Sequence, residues 1–183
     1  MPTVNVDGQI FDFSDEWEVT QIDQWPTYKN HLIPGHKACD VVAISAQEIV
    51  MIEVKDYTYP QPEIPAPQEL ALTIAHKVLG SSAMLFAFSG GKHQRGSQEE
   101  REFSARSRKK GLKFRVVASV EVPDRRAHMS AHQYLSTLKN YLKKYLKHLC
   151  DDVIVDSVAF PSSSVEWTHR RDPDTRLLHK TQG

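Results

Sequence analysis

Three charged residues lie inside a segment that otherwise has the pattern of a buried β-hairpin. Residues 38–57 contain two apolar, β-branched runs separated by a short polar break, and this pattern predicts a tight antiparallel hairpin. Asp40 precedes the first run, while Glu53 and Lys55 stand at the end of the second. Since side chains alternate across a strand, Glu53 and Lys55 project from the same face. Charges in such an apolar ribbon need a chemical role or a partner that neutralises them.

The expected pairing register brings the two acids together. If the turn is centred between Ala46 and Gln47, residues whose numbers sum to 93 face each other, so Asp40 opposes Glu53 at a Cβ separation of about 4.5–5.5 Å. Like charges at that distance destabilise the pair, and Mg²⁺ offsets them well because it binds one or two carboxylates and several waters. Lys55 then places an ammonium group beside the water that the metal acidifies. An ordinary cross-strand salt bridge among the three residues is the alternative interpretation.

Asp40, separated by twelve residues from Glu53-Val54-Lys55, resembles the D…(D/E)-x-K signature of the PD-(D/E)xK nuclease superfamily, the restriction-endonuclease-like phosphodiesterases. Cys39 stands where the signature has its proline. The resemblance implies a restriction-endonuclease-like core and a Mg²⁺ or Mn²⁺ ion bound by Asp40, Glu53 and the carbonyl of Val54. It also implies that Lys55 orients or activates the attacking water.

The resemblance points to further site residues on neighbouring elements. In the superfamily, the helix after the E-x-K strand often lends a polar or basic residue to the site, and Lys77 or His76 matches that role. An additional acid often lies upstream, where Glu16, Glu18 and Asp23 are the candidates. Exposure on a helix face or on the protein surface is the alternative explanation for each of these residues.

The net charge of the chain is zero, but its distribution is uneven. Residues 1–91 carry 4 basic and 12 acidic side chains, residues 92–126 carry 11 and 5, and residues 127–183 carry 8 and 6. An acidic portion that attracts metal, joined to a basic portion that attracts phosphate, is what a metal-dependent nuclease needs. The predicted nucleic-acid contacts are Tyr57 and Tyr59 in a proline-rich loop, His76, and a basic cluster formed by Arg101, Arg106, Arg108, Lys109 and Lys110. A solvated helix surface is the alternative for the basic cluster.

The order of the predicted elements indicates an α/β (α+β mixed) fold, with a mixed central β-sheet flanked by helices. The predicted elements are a hairpin at 3–13, a helix at 25–32, the hairpin at 41–54, a helix at 68–88, a helix from Ser97 to Gly111, a strand at 113–122, a helix capped by Ser130 and Gln133, and a strand at 153–160. Residues 14–23 fit a strand or a helix equally well. The apolar stripe of the helix after Ser130 predicts a core face or a dimer contact.

Length and composition predict one globular domain at residues 1–160 and a loosely ordered C-terminal tail at 161–183. Cys39 and Cys150 lie far apart, which argues against a disulfide framework and a zinc knuckle. There is no secretory pattern, and the longest apolar run, 83–88, is too short to cross a bilayer. We therefore expect a cytoplasmic protein without a membrane segment.

Together these features predict a metal-dependent nuclease that hydrolyses phosphodiester bonds of nucleic acid, with DNA favoured, as a subunit of a restriction or phage-defence system. Two alternatives stay open. One is a non-catalytic subunit with a nuclease fold, acting with protein partners or as a homodimer. The other is a module that binds single-stranded nucleic acid without cutting it.

Overall fold

Eight β-strands, four α-helices and one 3₁₀ helix make up the part of the chain that the computed structural model describes, residues 1–31, 35–58, 63–90, 96–124 and 129–173. In chain order they are β1 (Thr3–Val6), β2 (Gln9–Asp12), β3 (Glu18–Thr20), the 3₁₀ helix (Ile22–Gln24), α1 (Pro26–His31), β4 (Val41–Ile44), β5 (Glu48–Asp56), α2 (Pro67–Ser89), α3 (Gln98–Arg106), β6 (Lys113–Glu121), α4 (Ala131–Leu146), β7 (Asp152–Asp156) and β8 (Thr168–Arg171).

The central sheet has five strands in the order β3-β4-β5-β6-β7. The first three pair antiparallel, whereas β5, β6 and β7 run parallel. Parallel neighbours need a crossover connection, and α2 and α4 lie within the two crossovers. The predicted mixed sheet with helices is therefore confirmed.

The register of the central hairpin is the predicted one. Val41 pairs with Ile52 and Val42 pairs with Met51, so that facing residue numbers sum to 93. Asp40 comes directly before β4 and so stands across from Glu53. Both apolar runs are buried throughout because the sheet is covered on both faces.

Each face of the sheet packs against a different layer. On one side, Met51 packs with α2 and α4 in the larger core, which also buries the apolar stripe of α4. On the other side, Ile52 and Val54 pack with Phe11 and Trp167 in a smaller core. Since side chains alternate along β5, Glu53 and Lys55 share the face of Met51, toward α2.

A second sheet of three strands, in the order β1-β2-β8, covers the smaller core. The β1–β2 turn has φ values of 47° at Asp7 and 76° at Gly8, the left-handed pair that a two-residue type I′ hairpin requires. The prediction of a loosely ordered tail at 161–183 is wrong for 168–171, because β8 pairs along all of β2 and the adjacent Trp167 is 5% exposed. Residues 174–183 lie outside the described residues.

Other predicted boundaries differ by a few residues. The Ser97–Glu100 capping box begins α3 as predicted, but the helix ends at Arg106 rather than near Gly111. Turns fill the intervening residues, and Gly111 has a φ of +89°. Strand β7 ends at Asp156 rather than near 160, and the Asp156 carboxylate accepts a hydrogen bond from the Ser162 N–H at 2.7 Å. Residues 14–23, undecided from sequence, contain β3 and part of the 3₁₀ helix.

Helix α2 is the longest element and contains Lys77, one of the predicted site residues. By length and composition alone it could cross a membrane, but 44% of its apolar window is buried within the structure, where it packs against α4 and the sheet. Its outer face exposes Leu72, Leu79 and Phe86, which are seven residues apart. Gly80 faces the segment that leads into β4, which packs directly on this helix.

Candidate active site

Four charged side chains meet on the α2 side of the central sheet. Asp40, Glu53, Lys55 and Lys77 form what we call the carboxylate–lysine cluster. The Lys77 Nζ lies 2.5 Å from Glu53 Oε1 and 3.2 Å from Asp40 Oδ1. The Lys55 Nζ lies 2.9 Å from Glu53 Oε1 and 3.8 Å from Asp40 Oδ2. All four residues predicted to be catalytic are thus brought together.

The main chain fixes the position of Asp40. Its Oδ2 accepts a hydrogen bond of 2.8 Å from the Val54 N–H, which ties the carboxylate to β5. One residue earlier, the Cys39 N–H donates to the Ser81 Oγ at 2.8 Å, which ties the same segment to α2. Asp40 is therefore held between a strand and a helix, and its side chain is only 13% exposed.

Glu53 is the electrostatic centre of the cluster. Its side chain is fully buried, and burial raises its pKa from 4.5 to about 7, with the negative charge of Asp40 acting in the same direction. Lys55 and Lys77 oppose this rise but do not cancel it. Burial lowers the pKa of each lysine, but the charges of Glu53 and Asp40 outweigh it, so both pKa values lie above the ordinary lysine value. Both lysines are therefore charged at neutral pH.

The oxygen donors of the cluster fit a hard divalent cation. Glu53 Oε2 is buried and has no hydrogen-bond partner among the described residues. The cluster also contains the Asp40 carboxylate and, at its edge, the carbonyl of Val54, which accepts a hydrogen bond of 2.6 Å from Lys55 Nζ. Two carboxylates and a carbonyl suit Mg²⁺ or Mn²⁺. Within the described ranges, no group of three or more His, Cys, Asp or Glu side chains is arranged to hold a metal.

The three upstream acids occupy different environments. Asp23, in the 3₁₀ helix, has a pKa raised by burial and by the negative charge of Asp40, so it lies within electrostatic reach of the cluster. Its Oδ1 is buried without a hydrogen-bond partner in the described part of the chain. Glu18 instead pairs with Arg106, and Glu16 is exposed. Among the three candidates, Asp23 is the one that the fold turns toward the site.

Two further residues border the cluster from outside the central hairpin. Asp7, in the turn of the second sheet, places its Oδ2 3.7 Å from the Lys55 Nζ. Burial raises the pKa of Tyr57, which also feels the charges of Lys55 and Glu53, so its ring lies beside the site. Tyr59 lies outside the described residues. No sequence signal marks Asp7, since its contact depends on how one sheet packs over the other.

The lysines of the basic cluster lie far from the carboxylate–lysine cluster. Lys109 and Lys110 lie in the turn before β6, whose first residue, Lys113, pairs with Glu48 at the start of β5. Lys55 lies seven residues after Glu48 along β5, so the two residues are about 23 Å apart at a rise of about 3.3 Å per residue. These lysines are therefore at the opposite end of the sheet from the candidate site.

The arginines of the basic cluster already have partners. Arg101 donates to the Gly96 carbonyl at 2.6 Å, and Arg106 pairs with Glu18. Arg108 lies over the exposed Phe86 ring at 4.8 Å from its centroid. Nucleic-acid contact by these residues remains a prediction. His76 is exposed on α2 directly before Lys77.

Comparison of the chain with models of protein families, with curated proteins and with solved structures finds no match.

Proposed function

We propose that the protein is a metal-dependent nuclease of the PD-(D/E)xK type, which hydrolyses phosphodiester bonds of nucleic acid, with DNA as its substrate. The observation that carries the proposal is the buried Glu53 carboxylate: two lysines contact one of its oxygens, and the other has no hydrogen-bond partner among the described residues. The arrangement of an antiparallel hairpin, a helix and a parallel strand supports a restriction-endonuclease-like core.

Each residue of the cluster has a role in this proposal. Asp40, Glu53 and the Val54 carbonyl would hold a Mg²⁺ or Mn²⁺ ion, which supplies charge neutralisation at the phosphate and a more acidic water. Lys55 stays an ammonium group because its pKa is raised, so it donates hydrogen bonds rather than removing a proton. It therefore orients the attacking water and stabilises charge on the scissile phosphate. Lys77 holds the two carboxylates together from α2.

The proposal extends to partners and location. The protein would act in the cytoplasm, away from membranes, within a restriction or phage-defence system. It would be targeted to DNA by a partner subunit or act as a homodimer, since the described residues contain little beyond the catalytic sheet and its covering layers.

Plasmid cleavage tests the proposed activity. Purified protein is incubated with supercoiled DNA in Mg²⁺, Mn²⁺ or EDTA, and we expect nicked or linear product only with metal. Asp40→Asn and Lys55→Ala should each lower the rate at least ~100-fold. Lys143→Ala, at an exposed position on α4, should cleave like the wild type. Circular dichroism verifies that each variant is folded.

Two results would overturn the assignment. One is unchanged hydrolysis by either folded cluster variant. The other is a wild-type protein that binds DNA but never cuts it with either metal.

The saturation of Glu53 Oε1 by both lysines supports a second candidate, a non-catalytic subunit with this fold. The charges of the two ammonium groups already neutralise those of the two carboxylates, so the cluster needs no metal ion for charge balance. If this alternative is right, the melting temperature of the protein is the same in EDTA and in Mg²⁺. If the cluster binds a metal ion, the melting temperature is higher in Mg²⁺ than in EDTA.

A further inference from the structure

A groove of about 320 Å³ adjoins the carboxylate–lysine cluster on α2. Its two walls are the segment that leads into β4 and the side of α2 that faces this segment. The lining residues are Gly35, His36, Lys37, Thr73, His76 and Gly80. Of these residues, only His76 was predicted to contact nucleic acid.

Both walls continue directly into the cluster. On α2, Thr73 lies four residues before Lys77, one helical turn or about 6 Å along the axis, on the same side of the helix. On the opposite wall, Lys37 lies three residues before Asp40 in a segment that is fixed to α2. A strand that places one phosphate at Lys77 and Asp40 would therefore continue into the groove.

The groove is shaped by close backbone contact. A Cβ at Gly80 would lie 2.0 Å from the Lys37 carbonyl oxygen, so only glycine lets the two walls approach this closely. The neighbouring His36 is supported from behind, because Tyr28 donates a hydrogen bond of 3.2 Å to its carbonyl and packs edge-on against its ring. The groove therefore forms without a ligand.

The chemistry of the groove suits a phosphate. The cluster has two carboxylates and two ammonium groups and gives no net attraction for an anion, while the basic cluster lies elsewhere. In the groove, Lys37 makes no ion pair with any described residue, and no lining residue is acidic. Phosphate oxygens accept hydrogen bonds, and the groove offers three donors to them: the ammonium group of Lys37, the imidazole of His76 and the hydroxyl of Thr73.

We propose that this groove binds a backbone phosphate of the substrate strand, adjacent to the phosphate that lies at the carboxylate–lysine cluster. The protein then recognises a polynucleotide strand rather than a single nucleotide, because it binds two adjacent backbone phosphates, one at the cluster and one in the groove. This role rests on the proposed nuclease function, since it identifies the substrate that the same site takes.

DNA binding in EDTA tests the groove apart from catalysis. Fluorescence anisotropy with labelled single-stranded and duplex DNA oligonucleotides gives the Kd over a series of salt concentrations. Lys37→Ala/His76→Ala should weaken binding about tenfold and reduce the slope of log K against log salt by about 1, the value expected for one lost phosphate contact. Lys37→Arg, which keeps the charge, should retain the wild-type slope.

The matched control is Lys147→Ala/His148→Ala, which removes the same two residue types from exposed positions after α4. This control should bind like the wild type. If the groove variant also keeps the wild-type Kd and slope while the wild type binds and cuts DNA, the groove is wrong and the nuclease function stands. If the wild type neither binds nor cuts DNA, both proposals are wrong.

Discussion

Replacing Glu53 with glutamine isolates the energetic cost of the buried carboxylate. Glutamine has nearly the same shape as glutamate but carries no charge, so Glu53→Gln mimics the protonated form of the native side chain. Groups outside the carboxylate–lysine cluster titrate equally in the two proteins. The pH dependence of the difference between their free energies of unfolding therefore reports the titration of Glu53 together with the groups that its charge shifts, chiefly Lys55 and Lys77.

The expected size follows from the pKa of Glu53. Its rise from 4.5 to about 7 corresponds to about 3 kcal/mol at about 1.36 kcal/mol per pH unit. Below pH 4.5 the group is protonated in both states and contributes no pH-dependent penalty. Between the two values the folded state holds more protons than the unfolded state, so wild-type stability falls as pH rises. Above about pH 7 the penalty is complete.

Urea unfolding of both proteins across this pH range measures the effect. We expect Glu53→Gln to gain about 3 kcal/mol relative to the wild type between pH 4.5 and pH values above about 7. Glu166→Gln, at an exposed position, is the matched control for the loss of a glutamate charge outside the cluster. Mg²⁺ added at the alkaline end should stabilise the wild type but not Glu53→Gln, because an ion would relieve the same penalty.

A difference that stays flat with pH would refute the reasoning. So would a wild type that gains stability over the glutamine variant as pH rises. Either result would mean that Lys55 and Lys77 outweigh burial, and that Glu53 is ionised at neutral pH without a penalty.

Two further substitutions test how the site and the second sheet are held. Gly80→Ala normally favours a helix by about 0.5–1 kcal/mol, but here the new Cβ would lie 2.0 Å from the Lys37 carbonyl oxygen; we expect a loss of about 1–3 kcal/mol in urea unfolding. Trp167→Ala should lower the free energy of unfolding by about 3–5 kcal/mol, because this residue is 5% exposed and packs against Phe13 at a ring separation of 5.3 Å.

Each of these substitutions has a control in the same chain. Gly90→Ala should be nearly neutral, since its Cβ would lie 3.8 Å from the Ala87 carbonyl oxygen, its nearest contact among the described residues. Phe160→Ala removes an aromatic residue that is 45% exposed and should have a small effect. If Gly80→Ala behaves like Gly90→Ala, the walls of the groove are not in close contact. If Trp167→Ala behaves like Phe160→Ala, β8 does not anchor the second core.

The fold could be predicted from sequence wherever a local pattern determines the element. Asp7-Gly8 predicted a hairpin because few other residue pairs accept two left-handed conformations. Strand β8 gave no such signal, since Thr-His-Arg-Arg is polar throughout. It forms because its backbone pairs with β2 from the other end of the chain, and the neighbouring Trp167 supplies the apolar anchor.

The site could be predicted to the extent that strand periodicity determines it. A period of two and a centred turn placed Asp40 opposite Glu53, and the register agrees. Lys77 could not be placed in this way. Helical spacing shows which residues share a face of α2, but which face covers β5 depends on packing across the whole sheet, and the family resemblance supplied that choice.

The densest basic segment of the chain lies far from the candidate site, and the sheet topology explains why. Strand β6 runs parallel to β5, so the turn that carries Lys109 lies beside the beginning of β5, far from Glu53. Strand β4 runs antiparallel to β5, so the residues just before β4 lie beside the end of β5, where Glu53 and Lys55 are. The same geometry that brings Asp40 to the site therefore brings Lys37 as well. Under the proposed nuclease function, Lys37 on the antiparallel connection is therefore better placed for a phosphate at the carboxylate–lysine cluster than the basic cluster on the parallel one.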